Sequence, residues 1–304
     1  MVSGEVHQAE DSTPPIDIIL PTHGRLEDLT IPCVNALYAN TKSLFHLIVV
    51  DDSTPDMDDG KDQTPEWFRR LRLEKENITF THSDTPYKTG NQLFNVGLTY
   101  GNSPYVATVM NSMTVEPDWD IVALQMMMQN PKIGIIGFKC LKLGWKKGDG
   151  QVESAGINMT DYIPCDMGRD EPAQRLSCSY PCFSVQWAFA LLRREAALDN
   201  LDENVYNGFV GFDDIDNSLY LRYKGWEAWY CGLGSGYHRT HATRGSSADE
   251  AIIKNRKNAE IFYKRWGYWD MFRASNPYAP EYYQNGEVEF LCNANELPLT
   301  IGDK

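Results

Sequence analysis

The chain has 304 residues, of which 42% are hydrophobic and 23% charged, enough apolar material for one large domain or two fused halves. Its 28 basic and 42 acidic residues give a formal charge of −14, which repels phosphate backbones and anionic membranes; nucleic acid is not an expected partner unless a local basic face forms. The seven cysteines are scattered with no paired CxxC unit, which argues against zinc and against a disulfide framework in a chain of this length.

Residues 1–15 read as a disordered tail ending in Pro14-Pro15. The tail lacks the apolar run of a signal peptide, and no stretch approaches the about 20 apolar residues of a membrane span, so a cytoplasmic protein is expected. Ile16 to Leu20 form a first strand, and Leu26 to Asn40 carry helix-spaced apolar residues. Leu44 to Val50 read as a buried parallel strand that stops at Asp51-Asp52-Ser53. A helix over Pro65 to Glu74, a strand over Ile78 to Thr81 and a helix over Thr89 to Tyr100 follow. Next come a strand over Tyr105 to Met110, a helix over Asp118 to Gln129 and a strand over Ile133 to Phe138. This alternation predicts βαβ units and a mainly parallel sheet with helices on both faces. Beyond Lys139 the pattern loosens into a strand-like Val152 to Asn158 and an apolar strand over Phe183 to Leu192. A helix over Asp213 to Tyr223, stopped by Gly225, and a strand over Trp226 to Cys231 complete this part. Residues 246–304 read as a C-terminal cap, helical and then aromatic, through which an oligomer can form.

Four groups of residues carry candidate chemistry. Pro21, Thr22 and His23, with Arg25 just behind, follow the first strand, and Asp51 and Asp52 follow the second; ligands of open α/β sheets bind beyond such strand ends. The carboxylates can accept hydrogen bonds from a ribose or a pyrimidine, or can simply cap a turn. Lys88 and Asn91 stand at a Gly- and Asn-rich helix start that either approaches a ligand or packs closely. Asp213, Asp214 and Asp216 open another helix; the helix dipole accounts for one or two acids there, and mutual repulsion among three suits a general base. His238, Arg239, His241 and Arg244 form a basic spot that can hold a diphosphate or, through the histidines, a metal.

Taken together, these segments resemble the family-2 glycosyltransferases with the GT-A fold, especially their rhamnosyltransferase-like branch. The similarity runs through Ile18-Ile19-Leu20-Pro21-Thr22, Leu47 to Asp56, the helix with Asn91, Asn95 and Gly97, and Met110 to Trp119. It continues through Ile133 to Lys139, Gly150 to Gly156, Phe212 to Leu219, Gly225-Trp226 and His238, and covers about residues 16–245. The resemblance implies a nucleotide-binding half over 16–115 and an acceptor half with a smaller sheet over 116–245. It also implies an inverting transfer of a hexose from a UDP- or dTDP-linked donor to an acceptor hydroxyl, with Asp214 as the base and Asp213 beside it. The family's metal-binding DxD-type motif falls on Asn111, Ser112 and Met113, which lack its carboxylates. That leaves Asn111 and His238 as the candidates for Mn²⁺ or Mg²⁺. Two alternatives stay open: a sugar-nucleotide- or glycan-binding protein without turnover, and a transferase acting on modified DNA bases that uses Lys142 to Lys147 and Arg239 as a basic face.

Overall fold

Successive side chains of the first strand, β1 (Ile16–Thr22), point to opposite faces of the sheet, and this layers the molecule. Ile16, Ile18 and Leu20 share a core with Cys33, Val34, Leu37 and Phe68, whereas Ile19 joins Leu93 and Phe94 in a second core on the other face. The computed structural model describes residues 13–144, 148–160, 163–197, 201, 203–206, 211–239, 256–262 and 265.

In chain order β1 is followed by α1 (Ile31–Asn40), β2 (Phe45–Asp51), α2 (Met57–Gly60), α3 (Thr64–Glu74), β3 (Ile78–His82) and α4 (Gly90–Leu98). Then come β4 (Tyr105–Val109), β5 (Met113–Val115), α5 (Trp119–Gln129), β6 (Ile133–Lys142), β7 (Val152–Ser154), β8 (Ile157–Thr160) and β9 (Ile163–Asp166). The series ends with β10 (Tyr180–Pro181), β11 (Phe189–Arg193), α6 (Arg194–Ala197), α7 (Asp213–Tyr223) and β12 (Glu227–His238). The main sheet runs β10-β12-β6-β11-β4-β1-β2-β3, with β5 on β12 and β7 on β6; β8 and β9 form a separate hairpin. Strands β4, β1, β2 and β3 are mutually parallel, and β11 joins them to the rest in antiparallel sense.

The expected parallel half-sheet, the helices on both faces and a smaller second sheet, the β8–β9 hairpin, are all present. The structure refines four segments. The helix expected over Leu26 to Asn40 is a π-helical turn, Leu26–Thr30, leading into α1, with Pro32 in its first turn, where a missing N–H costs nothing. Val152 to Asn158 splits into β7 and β8 around Gly156, which turns the chain at φ 93°. Of Phe183 to Leu192 only the end is strand. Trp187 is buried, but its carbonyl accepts from the Thr108 hydroxyl (2.6 Å) and its indole donates to Ser218 (3.3 Å), so the apolar run fills core before it joins the ladder. Strand β5, three residues long, escapes a periodicity reading and is held by β12. Of the C-terminal cap, residues 256–262 and 265 are helical, with Asn258 and Phe262 fully buried; the rest lies outside the described residues.

Candidate active site

Strand register builds the first wall. Thr22, Asp51 and His82 are paired rungs at the carboxyl ends of β1, β2 and β3. One oxygen of Asp51 accepts from the hydroxyls of Thr22 and Ser53 (both 2.6 Å), and the other meets His82 Nδ1 at 2.7 Å. Asp52 takes His23 Nδ1 on one oxygen and the Tyr87 amide on the other, each at 2.7 Å. Both carboxylates are buried and spend their oxygens on the protein's own donors, as buried charges must. Because both acids are fully buried, neither presents a surface oxygen in this conformation to accept a hydrogen bond from a ribose or pyrimidine. Asp52 holds the groups that do face out: His23 is 45% exposed in its side chain, and Lys88 is exposed just beyond Tyr87. Asp52 also holds the His23 imidazole above its ordinary range, favouring the cation. Pro21 is buried at the strand end, and Gly24 (φ 63°) then Arg25 (φ 57°) turn the chain through the left-handed region.

A second wall forms where β5 and β12 pair. His238 stands opposite Met113, and the Arg239 amide donates to the Ser112 carbonyl at 3.0 Å. The Arg239 guanidinium reaches Asp28 (3.6 Å), on which Arg25 also closes, so Asp28 is held well below the usual carboxylate range, chiefly by Arg25. Arg25 and Arg239 are thus drawn together across a shared acid. Glu153, buried on β7, meets His238 Nδ1 at 2.9 Å.

The metal candidates do not form a site for a hard cation. The Asn111 amide nitrogen donates to Thr30 at 3.1 Å inside a buried pair. Met113, placed with the donor contacts in the sequence, is fully buried in the core and belongs to packing instead; its methyl would lie 3.0 Å from a Cβ on Gly236. Glu153 occupies one ring nitrogen of His238. Among the described residues no group of three His, Cys, Asp or Glu side chains is arranged to hold a metal. An amide, a thioether and one imidazole are a poor donor set for Mn²⁺ or Mg²⁺.

The third wall is the start of α7. Gly211 (φ 67°) and Phe212 (φ 72°) both adopt left-handed backbone, and the helix begins at Asp213 with three acids in its first turn. The turn is pinned: the Asp214 carbonyl accepts from Ser218 (2.8 Å) and Ser184 (3.3 Å), and Asn258 reaches the Gly211 carbonyl at 3.4 Å. Phe212 stacks obliquely on Phe262, with centroids 5.2 Å apart. Asp213 and Asp214 stay half-buried and reach solvent, whereas Asp216 is 2% exposed and lies 3.5 Å from Arg265. Asp216 is thus tied to Arg265 inside the fold, unlike its two more open neighbours. Asn91 also works structurally: its amide and that of Asn217 exchange hydrogen bonds of 3.2 and 2.8 Å, locking α4 to α7. His241 and Arg244 lie outside the described residues. So do Lys146 and Lys147; Lys142 is buried against Asp170, so it contributes nothing to a basic face.

Sequence reasoning missed Glu153, His82, Ser53 and Ser184.

A parallel half-sheet with its polar groups at the strand ends, joined through an antiparallel strand to an acid-rich helix start, is the GT-A architecture of glycosyltransferases. Two solved structures share it. GalNAc-T7 with UDP, GalNAc and Mn²⁺ matches with a TM-score of 0.64 at 12% identity, over 90% of this chain and 52% of that one. TarS 1–349 of S. aureus in complex with UDP-GlcNAc matches at 0.53 and 13%, over 87% and 73%. Residues 17–198, more than half of the chain, match the sequence model of glycosyl transferase family 2, and the chain belongs to that family. An uncharacterized protein, y4gI, of Sinorhizobium fredii (strain NBRC 101917 / NGR234) is 26% identical over 269 residues, 84% of this chain; the chain spans only 28% of that relative's length. No described helix is long and apolar enough to cross a membrane.

Proposed function

We propose that the chain is an inverting glycosyltransferase that moves a hexose from a UDP- or dTDP-linked donor to an acceptor hydroxyl, with residues 16–245 as the transferase unit. The observation that carries this reading is Asp214: a half-buried carboxyl at a helix start whose backbone is pinned by Ser184 and Ser218, next to a left-handed turn. Asp214 takes the proton of the acceptor hydroxyl, and that oxygen bonds to the anomeric carbon from the face opposite the diphosphate. The bond from the anomeric carbon to the diphosphate oxygen breaks as the new one forms. His23, Arg25, Lys88 and Arg239 supply positive charge for the departing diphosphate. Asp213 orients the acceptor or the base, and Asp51 and Asp52 fix the donor-side groups in place. The residues at positions 111–113 do not fit a divalent ion, so no step is assigned to one.

The test is a calorimetric screen of UDP- and dTDP-sugars, followed by product analysis with hydroxylated acceptors. Donor binding and turnover are expected, and Asp214→Asn should keep the first and lose the second. Turnover surviving in Asp214→Asn would remove the base assignment. A second reading, binding without transfer, is favoured by the missing carboxylates at 111–113; saturable donor binding with neither transfer nor hydrolysis would establish it.

A further inference from the structure

Behind the contact of α4 with α7 lies a cavity of about 680 Å³, a volume typical of small-molecule sites. The paired amides of Asn91 and Asn217 close α4 onto α7 near the start of α4, and the cavity is lined from the later turns of that helix, by Asn95 and Thr99. On the α7 side it is lined by Asp216 and Tyr220, which share one helix face with Asp213, and it is completed by Glu203 and Arg265.

Three features define what this space can hold. Its charged groups already have partners: Arg265 lies 3.5 Å from Asp216, and Glu203 accepts from the Asn95 amide nitrogen at 2.8 Å. Among the described lining residues two acids face one base, a balance that does not favour a phosphate or carboxylate ligand. The buried Asn95 side-chain oxygen has no hydrogen-bond donor, although its nitrogen serves both Glu203 and the Leu201 carbonyl (2.8 Å). A buried acceptor left without a donor is costly, and a ligand hydroxyl is a group that relieves it. Finally, Tyr220 brings an aromatic ring to a wall otherwise rich in amides and carboxylates, the combination that receives sugar rings by stacking and by hydroxyl hydrogen bonds.

We propose that this cavity binds an uncharged saccharide, separate from the donor groove and placed along the α7 face that leads back to Asp213. Identifying that saccharide as the far end of the acceptor rests on the transferase reading above; the binding itself does not.

The test uses the full chain and three neutral probes, maltotetraose, cellotetraose and chitotetraose, titrated by calorimetry, with UDP titrated in parallel. At least one tetrasaccharide should bind saturably. Tyr220→Ala should weaken that binding at least about tenfold, the loss of one stacked or hydrogen-bonded partner. Thr99→Trp, at an exposed position on the cavity wall, should block binding without unfolding the chain, and UDP affinity should be unchanged in both variants. If no probe binds, or if both variants bind it as the unmodified chain does, the proposal is overturned. Loss of UDP binding with saccharide binding intact sinks the transferase reading and leaves this one standing.

Discussion

Asp51 and Asp214 both stand at the end of a regular element, on opposite sides of the proposed reaction centre, and the molecule treats them in contrary ways. Asp51 sits on a rung of three paired strands and is sealed by Thr22, Ser53 and His82. Asp214 sits after two left-handed residues; its backbone is tied down, while its residue still reaches solvent. The donor side gains its geometry from sheet register, so its acids can be buried and serve as fasteners. The α7 side has no sheet rung to lean on and is positioned by side chains: Ser184, Ser218, Asn258 and the Phe212–Phe262 pair. Burial thus separates acids that organise from acids that can react.

That contrast can be broken most sharply at Asp214. Asp214→Asn is expected to lower turnover by about a hundred- to ten-thousand-fold, the range for a general base, with the melting temperature and donor affinity held. Steady-state rates beside a thermal melt show whether the effect is chemical. Next, Phe262→Ala should cost about 3–5 kcal/mol by emptying a fully buried aromatic site, and should reduce turnover more than donor affinity because the α7 start loosens. Denaturant unfolding with a parallel donor titration measures both. Asp51→Ala leaves three donors without their acceptor and should cost about 3 kcal/mol; here donor affinity is the property expected to fall first.

Smaller effects sharpen the comparison. Asp52 raises the His23 pKa above 6.5, so the stability from that pair is complete below the unfolded value and is lost as pH climbs through the folded one. A plot of unfolding midpoint against pH should decline over that window and flatten in His23→Gln. Smallest of all, addition of EDTA should leave UDP affinity within about twofold, because the groups at 111–113 and His238 are a poor match for a hard cation. A tenfold loss on chelation would mean that carboxylates from elsewhere enter the site.

Much of the donor side was legible from the sequence because register and periodicity write themselves into residue order. The apolar run ending at Asp51-Asp52 fixes both a buried strand and the polar groups at its end. Gly97 fits the same logic: a Cβ there would fall 2.5 Å from Ile19, so the close seating of α4 on β1 shows as a glycine. The α7 helix, too, was readable to its bounds from its acids and from Gly225. What stayed hidden depends on partners distant in the chain. Met113 looks like a degraded ligand position until β12 pairs over it and puts it in the core. Asp216 looks like its neighbours until Arg265 is beside it. Glu153 meets His238 from 85 residues away, and nothing in either stretch names the other.

The link from Arg239 to Asp28, which spans 211 residues, has a consequence for how the protein comes into being. Arg25 meets Asp28 locally, three residues away, but Arg239 reaches that acid only once β12 has slotted between β10 and β6, and β12 is made after every other described strand. A nascent chain can complete the parallel half and still lack Arg239, one of the four cations proposed for the diphosphate. Long-range pairing of this kind forms late and slowly. A ribosome-bound fragment that ends before β12 would thus hold Asp28 with Arg25 alone, and the proposed diphosphate site would be complete only after β12 has paired.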